Sequence, residues 1–202
     1  MTTDELMRLA PVIPVLVLDL EMDWAALAET FVAAGLPVLE ITLRTPVALE
    51  AIRQMSGVPG AVVGAGTVLN EVQLAQAIDA GSQFIVSPGL TNPLALAARD
   101  TEIAFLPGVA TAADIMRGLD LGIELFKFFP AVPSGGIPAL KAFAAVFGNV
   151  RFCPTGGIRP DTAADWLALP SVLCVGGTWF VKPGDDLATV GERARAAAAL
   201  AR

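Results

Sequence analysis

The chain has no histidine or tyrosine, and it has only two cysteines and three lysines among its 202 residues. Without histidine, Ser-His-Asp and Cys-His catalysis are excluded, and the commonest zinc ligand is missing. Two cysteines are too few for a disulfide framework, and this count is typical of a protein from the reducing cytoplasm. An enzyme built from this sequence must therefore use carboxylates, lysine, backbone groups or a cofactor.

Positive charge and long hydrophobic runs are also scarce. The formal net charge of -7 and the isoelectric point near 4.5 argue against a nucleic-acid partner. The charge-free stretches are interrupted by proline, glycine or polar residues, and none offers the roughly 20 apolar residues that cross a membrane. The acidic start MTTDELMRLA does not resemble a signal peptide. Because 54% of the residues are apolar, we expect strands that are buried on both faces.

Short β-rich runs alternate with segments of helical composition along the whole chain. The predicted strands are Val12–Leu18, Val38–Leu43, Ala61–Gly64, Phe84–Val86, Ala104–Leu106, Leu125–Phe128, Val150–Cys153 and Val172–Val175. The predicted helices are Thr3–Leu9, Trp24–Ala34, Val47–Met55, Glu71–Ala80, Leu94–Ala98, Ala112–Leu119, Ala139–Phe147, Thr162–Leu169 and Leu187–Leu200. This alternation favours an α/β fold with a parallel sheet.

Eight strand–helix units predict a (β/α)8 TIM barrel with a short extra N-terminal helix. We expect one domain over residues 1–202, because no linker or low-complexity stretch divides the chain. The alternative is an open, doubly wound sheet. Its phosphate-binding pattern begins at Gly64-Ala65-Gly66, but Leu69 occupies the position of the third glycine. The barrel is therefore the preferred interpretation.

The second predicted strand carries polar side chains on one face. Alternation places Glu40, Thr42 and Arg44 on the face opposite to Leu39 and its apolar neighbours. Polar groups are costly to bury in a barrel unless they are paired or functional. An internal ion pair between Glu40 and Arg44 would explain them structurally, whereas their place near the carboxyl end of the strand favours catalysis.

Lys127 lies between phenylalanines within the sixth predicted strand, whereas Lys141 and Lys182 fall in a helix and a loop. Apolar surroundings disfavour the charged form of an amine, so a lysine here can supply a neutral nucleophile. The structural alternative is a lysine that extends to solvent from an edge strand. A closed barrel has no edge, which favours the nucleophile.

Glycine pairs follow the last two predicted strands, at Gly156-Gly157 and at Gly176-Gly177, and the second pair precedes Thr178. Glycine lets backbone N–H groups approach an anion closely, and a hydroxyl adds a further donor. The loops after strands seven and eight commonly bind phosphate in barrels. The pairs could also serve only to tighten the turns.

Acidic residues between the first strand and the next helix, Asp19, Glu21 and Asp23, could suggest a cation site. We interpret them instead as a solvated turn that ends in a helix N-cap. No metal site is expected.

Five motifs in order resemble the 2-keto-3-deoxy-6-phosphogluconate (KDPG) aldolase and 4-hydroxy-2-oxoglutarate (KHG) aldolase family over nearly the full chain. They are LEITLRT from Leu39, VGAGTVLN from Val63, SPGL from Ser87, FKFFP from Phe126 and RFCPTGGI from Arg151. The resemblance implies a class I aldolase on a small (β/α)8 barrel, usually a homotrimer, that acts on a small 2-keto acid without cofactor or metal. It implies cleavage of KDPG to pyruvate and glyceraldehyde 3-phosphate, and of KHG to pyruvate and glyoxylate.

The resemblance also implies roles for individual residues. Lys127 would form the Schiff base and Glu40 would be the general acid and base. Arg44 and Thr67 would hold the carboxylate of the keto acid, and Pro88 and Phe129 would line that pocket. The substrate phosphate would be bound by Gly156, Gly157, Gly176, Gly177 and Thr178.

Two other functions remain as alternatives. A sugar-phosphate isomerase or epimerase could use Glu40 as base and the same glycine loops, with Lys127 acting only through its charge. It would form no imine and break no carbon–carbon bond. A non-catalytic oligomeric scaffold would have no need of a lysine in an apolar setting.

Overall fold

A computed structural model describes residues 1–18 and 22–200 of the chain, which alternate between strands and helices as expected. The helices of this described part are α1 (Thr3–Arg8), α2 (Trp24–Ala33), α3 (Ala48–Ser56), α4 (Glu71–Asp79), α5 (Asn92–Asp100), α6 (Ala112–Asp120), α7 (Gly136–Val146), α8 (Ala163–Leu167) and α9 (Leu187–Ala198). Its strands are β1 (Val12–Leu16), β2 (Val38–Thr42), β3 (Val62–Gly66), β4 (Phe84–Val86), β5 (Ala104–Leu106), β6 (Gly108–Val109), β7 (Leu125–Phe128), β8 (Arg151–Pro154) and β9 (Val175–Gly177). None of the described helices combines the length and apolar character needed to cross a membrane.

The strands pair in parallel, in the orders β5-β4-β3-β2-β1-β9 and β6-β7-β8. At one junction, β5 and β6 are separated only by Pro107, whose carbonyl accepts a hydrogen bond from the Lys127 N–H at 2.9 Å. At the other, isolated bridges join Phe152 to Val172 and Thr155 to Gly176. The result is an α/β fold with a curled parallel sheet, which confirms the predicted fold class at that level.

Several predicted strands differ from the observed ones by one or two residues at an end, and two differ by more than that. The fifth strand was expected to end at Leu106, but pairing resumes after Pro107 as β6. The last strand, predicted over Val172–Val175, is observed at Val175–Gly177. The pairing of this strand begins with the Val175 N–H, which donates a hydrogen bond of 3.0 Å to the Pro11 carbonyl. The apolar run from Val172 to Val175 does not indicate where this pairing starts. Gly176 and Gly177 therefore lie inside β9 rather than after it.

The two faces of the sheet form separate apolar clusters. Leu39 and Ile41 of β2 are fully buried in the cluster that also contains Phe31 of α2 and Ile52 of α3, as the alternation in this strand predicts. The inner cluster gathers Ile13, Val38, Phe84, Leu106 and both cysteines, together with Leu6 and Met7 of α1. The N-terminal helix thus packs against the inner face of the sheet, and the polar residues of the site share that face.

Candidate active site

Lys127 and Glu40 form a buried ion pair across the interior of the sheet. Lys127 Nζ lies 2.9 Å from Glu40 Oε1 and 3.3 Å from Oε2, and the two residues are only 5% and 3% exposed. Their strands, β7 and β2, are not neighbours in either sheet, so curling is what brings them face to face. The expected structural alternative, a pair between Glu40 and Arg44, is wrong. The pair sets a potential nucleophile against a potential proton acceptor.

The Glu40 carboxylate fits against Gly66, the last residue of β3. A Cβ atom on Gly66 would lie 2.2 Å from Glu40 Oε1 and 2.7 Å from its Cδ. Real side-chain atoms do not approach so closely, so Gly66 provides the space in which the carboxylate reaches Lys127. Sequence reasoning assigned no role to Gly66, because the predicted third strand ends at Gly64. The observed strand includes Gly66, and glycine within a strand often marks a close approach.

Replacing Gly66 by alanine is therefore expected to displace the Glu40 carboxylate from Lys127. Misplacement of a catalytic group by about 1 Å can cost about 100-fold in rate, and we expect a fall in kcat of that order. Steady-state kinetics of keto-acid cleavage measure it. The matched control is Gly148→Ala, because a Cβ there meets nothing within 4 Å. Equal kcat values for the two variants would contradict this role of Gly66.

Arg44 and Thr67 meet at the ends of neighbouring strands. Arg44 follows β2 and is exposed, and its Nε donates a hydrogen bond of 3.3 Å to Thr67 Oγ1. Thr67 follows β3 with a φ of 60°, which is uncommon for a β-branched residue. Thr67 comes directly after Gly66, the residue against which the Glu40 carboxylate fits. A guanidinium and a hydroxyl in this arrangement can hold a carboxylate.

Phe129 and Pro88 are both half-buried, and of the two Phe129 lies next to Lys127. Lys127 Nζ lies 5.3 Å from the centroid of the Phe129 ring, within the range of a cation–π contact. The same ring packs against Gly156, where a Cβ atom would come within 3.3 Å of it. Pro88 follows β4 and borders a cavity of about 310 Å³ together with Leu90. The Phe129 ring therefore contacts both Lys127 and the first residue of the first glycine pair.

The glycine residues lie where two strands end, but not all of them are in loops. Gly156 and Gly157 follow β8 with φ angles of 99° and 80°, which require glycine. Gly176 and Gly177 are buried within β9, and only Thr178 follows the strand and is exposed. The prediction that both pairs lie in loops is thus wrong for the second pair, although the bridge from Thr155 to Gly176 keeps the two pairs adjacent.

Thr178 opens onto a cavity of about 860 Å³ that also borders Ile158, the residue after Gly157. Two ion pairs stand in or beside this cavity. Hydrogen bonds from Arg159 hold the pKa of Asp161 below its usual value, and hydrogen bonds from Arg193 do the same for Asp185. The cavity thus combines apolar walls with cationic groups beside the glycine pairs.

No metal site is found among the described residues, where no group of three or more histidine, cysteine, aspartate or glutamate residues converges. Asp23 caps α2, because its side chain accepts a hydrogen bond from the Ala26 N–H at 2.9 Å. This confirms the predicted N-cap. Asp19 and Glu21 lie outside the described residues.

Thr155 is a further polar residue that sequence reasoning left without a role. It is 3% exposed, its hydroxyl lies 3.4 Å from the Cys153 carbonyl oxygen, and a Cβ atom on Gly176 would come within 2.3 Å of it. Cys153 itself is the register neighbour of Lys127. The sequence did contain a signal for Thr155. It lies two positions after Cys153, so strand alternation places both residues on the same face.

Comparison with known proteins places these features in a family. The model of the family described as KDPG and KHG aldolase matches residues 3–192. A 2-dehydro-3-deoxy-phosphogluconate aldolase of Zymomonas mobilis is 58% identical over 200 residues, covering 98% of this chain and 96% of the relative. The crystal structure of the Zymomonas mobilis ZM4 enzyme with 3-phosphoglycerate matches with a TM-score of 0.96 and 58% identity, covering 99% and 96% of the two chains. The KDPG aldolase of Legionella pneumophila, with pyruvate captured as a covalent carbinolamine intermediate, matches with a TM-score of 0.93 and 41% identity, covering 98% and 99%.

Proposed function

The chain belongs to the KDPG and KHG aldolase family, and from this we infer its reaction and the residues that carry it. It is a class I aldolase that cleaves KDPG to pyruvate and glyceraldehyde 3-phosphate. The observation that carries the assignment of residues is the buried pair of Lys127 and Glu40, with Nζ 2.9 Å from the carboxylate. Cleavage of KHG to pyruvate and glyoxylate is proposed as a second activity of the same site.

The reaction begins with a proton transfer within this pair. Lys127 passes a proton to Glu40, and the neutral amine attacks the C2 ketone to form a carbinolamine. The protonated Glu40 then gives its proton to the departing hydroxyl. Water leaves, and a protonated imine remains on Lys127. A single carboxylate at hydrogen-bond distance from Nζ can serve both proton transfers.

The imine is the electron sink for cleavage of the C3–C4 bond. Glu40, again a carboxylate, takes the proton of the C4 hydroxyl, and the bonding electrons flow into the imine. Glyceraldehyde 3-phosphate leaves, and an enamine of pyruvate remains on Lys127. Glu40 returns its proton to C3, and water hydrolyses the imine to release pyruvate and restore the ion pair. The imine nitrogen is positively charged before cleavage and again after the enamine is protonated, and in both states the Phe129 ring lies close to it.

Substrate binding is assigned to the groups around this pair. Arg44 and Thr67 hold the keto-acid carboxylate. The hydrogen bond between these two side chains orients them relative to each other. Pro88 and Phe129 form the apolar wall of this pocket. The phosphate is bound by backbone N–H groups and one hydroxyl, at Gly156, Gly157, Gly176, Gly177 and Thr178.

The two sheets close into one (β/α)8 barrel over residues 1–202, with β5 and β6 as a single strand interrupted at Pro107. The ion pair supports closure, because β2 and β7 lie on opposite sides of such a ring.

We assign the chain to a homotrimer in the cytoplasm. Exposed apolar side chains such as Val72, 67% exposed, and Met116, 58% exposed, provide surface for the contact between subunits.

Cleavage of KDPG tests the function directly. The purified protein is incubated with KDPG, and pyruvate is followed through lactate dehydrogenase while glyceraldehyde 3-phosphate is measured in parallel. We expect the two products in equal amounts. An isomerase or epimerase would give a new sugar phosphate and no pyruvate, and a scaffold would give neither product.

A further inference from the structure

The cavity of about 860 Å³ beside the glycine pairs contains three cationic side chains, those of Arg159, Lys182 and Arg193. Two of its other lining residues continue the proposed phosphate site, because Ile158 follows Gly157 and Thr178 follows Gly177. The cavity is therefore the surface that a bound phosphate group would face. The positive side chains of the cavity matter for binding an anion, because the chain as a whole carries a net charge of -7.

Two of the three cations are already compensated. Arg159 donates two hydrogen bonds to Asp161, of 3.0 Å and 2.8 Å. Arg193 donates to both carboxylate oxygens of Asp185 and also to the Phe180 carbonyl oxygen at 2.9 Å. In both cases a carboxylate offsets the charge of the guanidinium, so each arginine attracts an anionic ligand less strongly than a cation without such a partner.

Lys182 differs from both arginines. It is exposed, and among the described residues its amine makes no salt bridge. Its backbone is fixed, because its N–H donates to Asp185 Oδ2 at 2.8 Å and its carbonyl accepts from the Asp185 N–H at 3.1 Å. The loop thus places on the wall of the cavity an ammonium group that makes no salt bridge among these residues, although it interacts electrostatically with Asp185, whose carboxylate Arg193 holds. It is one of three lysines in the chain, and one of the others is Lys127.

We propose that Lys182 is a specificity-determining residue whose ammonium group recognises the phosphate of the substrate. The inference rests on the proposed function and adds a charged group to a site otherwise assigned to neutral donors. Backbone N–H groups and the Thr178 hydroxyl fix the position of a phosphate, but they do not neutralise its two negative charges. An ammonium ion acts as a point charge and needs no fixed geometry to do so.

Replacing Lys182 by glutamine tests the proposal. We expect the KM for KDPG to rise about threefold to tenfold, as for a partly exposed charge, with kcat unchanged. The kcat/KM for 2-dehydro-3-deoxygluconate, which lacks the phosphate, stays within about twofold of the parent value. Raising the salt concentration reduces the difference between variant and parent on KDPG, because screening weakens the contact.

Lys141→Gln is the matched control, since it removes the same charge from α7, which borders a different groove. We expect it to leave the KM for KDPG unchanged. An unchanged KM in Lys182→Gln, or an equal loss on the phosphorylated and unphosphorylated substrates, overturns the proposal. Failure of the parent protein to release pyruvate from KDPG contradicts the proposed function instead, so the two failures are distinguishable.

Discussion

Replacement of Lys127 by methionine is expected to lower kcat/KM for KDPG cleavage by about 10⁴-fold or more, because no other residue at the site can form the imine. Methionine keeps the length of the side chain and removes the amine. Cleavage is measured by pyruvate release at protein concentrations high enough to detect a residual rate. Lys141→Met, in an exposed position on α7, is the matched control and keeps full activity. Retention of the parent rate by Lys127→Met would contradict the mechanism.

The same substitution also lowers the stability of the fold. Glu40 is 3% exposed, and without Lys127 its carboxylate is buried beside no cation. Loss of one partner from a buried ion pair costs about 3–5 kcal/mol of the free energy of unfolding. The sequence does not reveal this cost, because it does not show that Glu40 is the partner of Lys127. Urea denaturation of the variant measures the loss.

The double variant Lys127→Met with Glu40→Gln separates the two effects. It removes both charges, so most of the lost free energy of unfolding is expected to return. Cleavage is not expected to return, since the amine is still absent. A double variant as unstable as Lys127→Met would show that the ion pair is not the source of the instability.

Replacement of Glu40 by glutamine is expected to lower kcat by about 10²- to 10⁴-fold with a smaller change in KM, the range typical of a lost general acid or base. The amide keeps the size of the side chain but cannot carry protons to and from the imine. Exchange of the methyl protons of pyruvate in deuterated water, followed by NMR, tests the same step without cleavage. It requires protonation of the enamine, and we expect it to slow in parallel with kcat.

Glu50→Gln provides the control for this prediction. Glu50 lies on α3, is exposed and is paired with Arg53 at 3.3 Å, so its loss leaves the site untouched. We expect parent values of kcat and of the exchange rate. An unchanged kcat in Glu40→Gln would remove Glu40 from the proton transfers and leave it only the task of balancing the charge of Lys127.

The alternation of strands and helices, and the choice of Glu40 and Lys127 as unusual polar residues of buried strands, were predictable because each follows from local rules. Polar side chains within buried strands are costly, and this cost singles out Glu40 and Lys127 in the sequence. Their contact was not predictable from periodicity, since it depends on how far the sheet curls. The partner of Glu40 is a lysine 87 residues away rather than the arginine four positions along the chain.

The glycines show why other parts of the site escaped prediction. An apolar run from Val172 to Val175 is typical of a strand, but the ladder is set by the carbonyl of Pro11, far away in the sequence. Gly176 and Gly177 were consequently expected in a loop. The role of Gly66 also could not be predicted locally, because it depends on the Glu40 carboxylate of the neighbouring strand. When a glycine matters because its missing side chain leaves room for another group, its neighbours in the sequence do not reveal that role.

Reduction with borohydride in the presence of pyruvate tests the imine on Lys127 most directly. The protein is treated with both reagents, its intact mass is measured, and the modified peptide is mapped. We expect one reduced pyruvate adduct per chain, located on Lys127 and absent without pyruvate. An adduct on Lys141 or Lys182 instead, or no adduct in protein shown to be folded, would contradict the account.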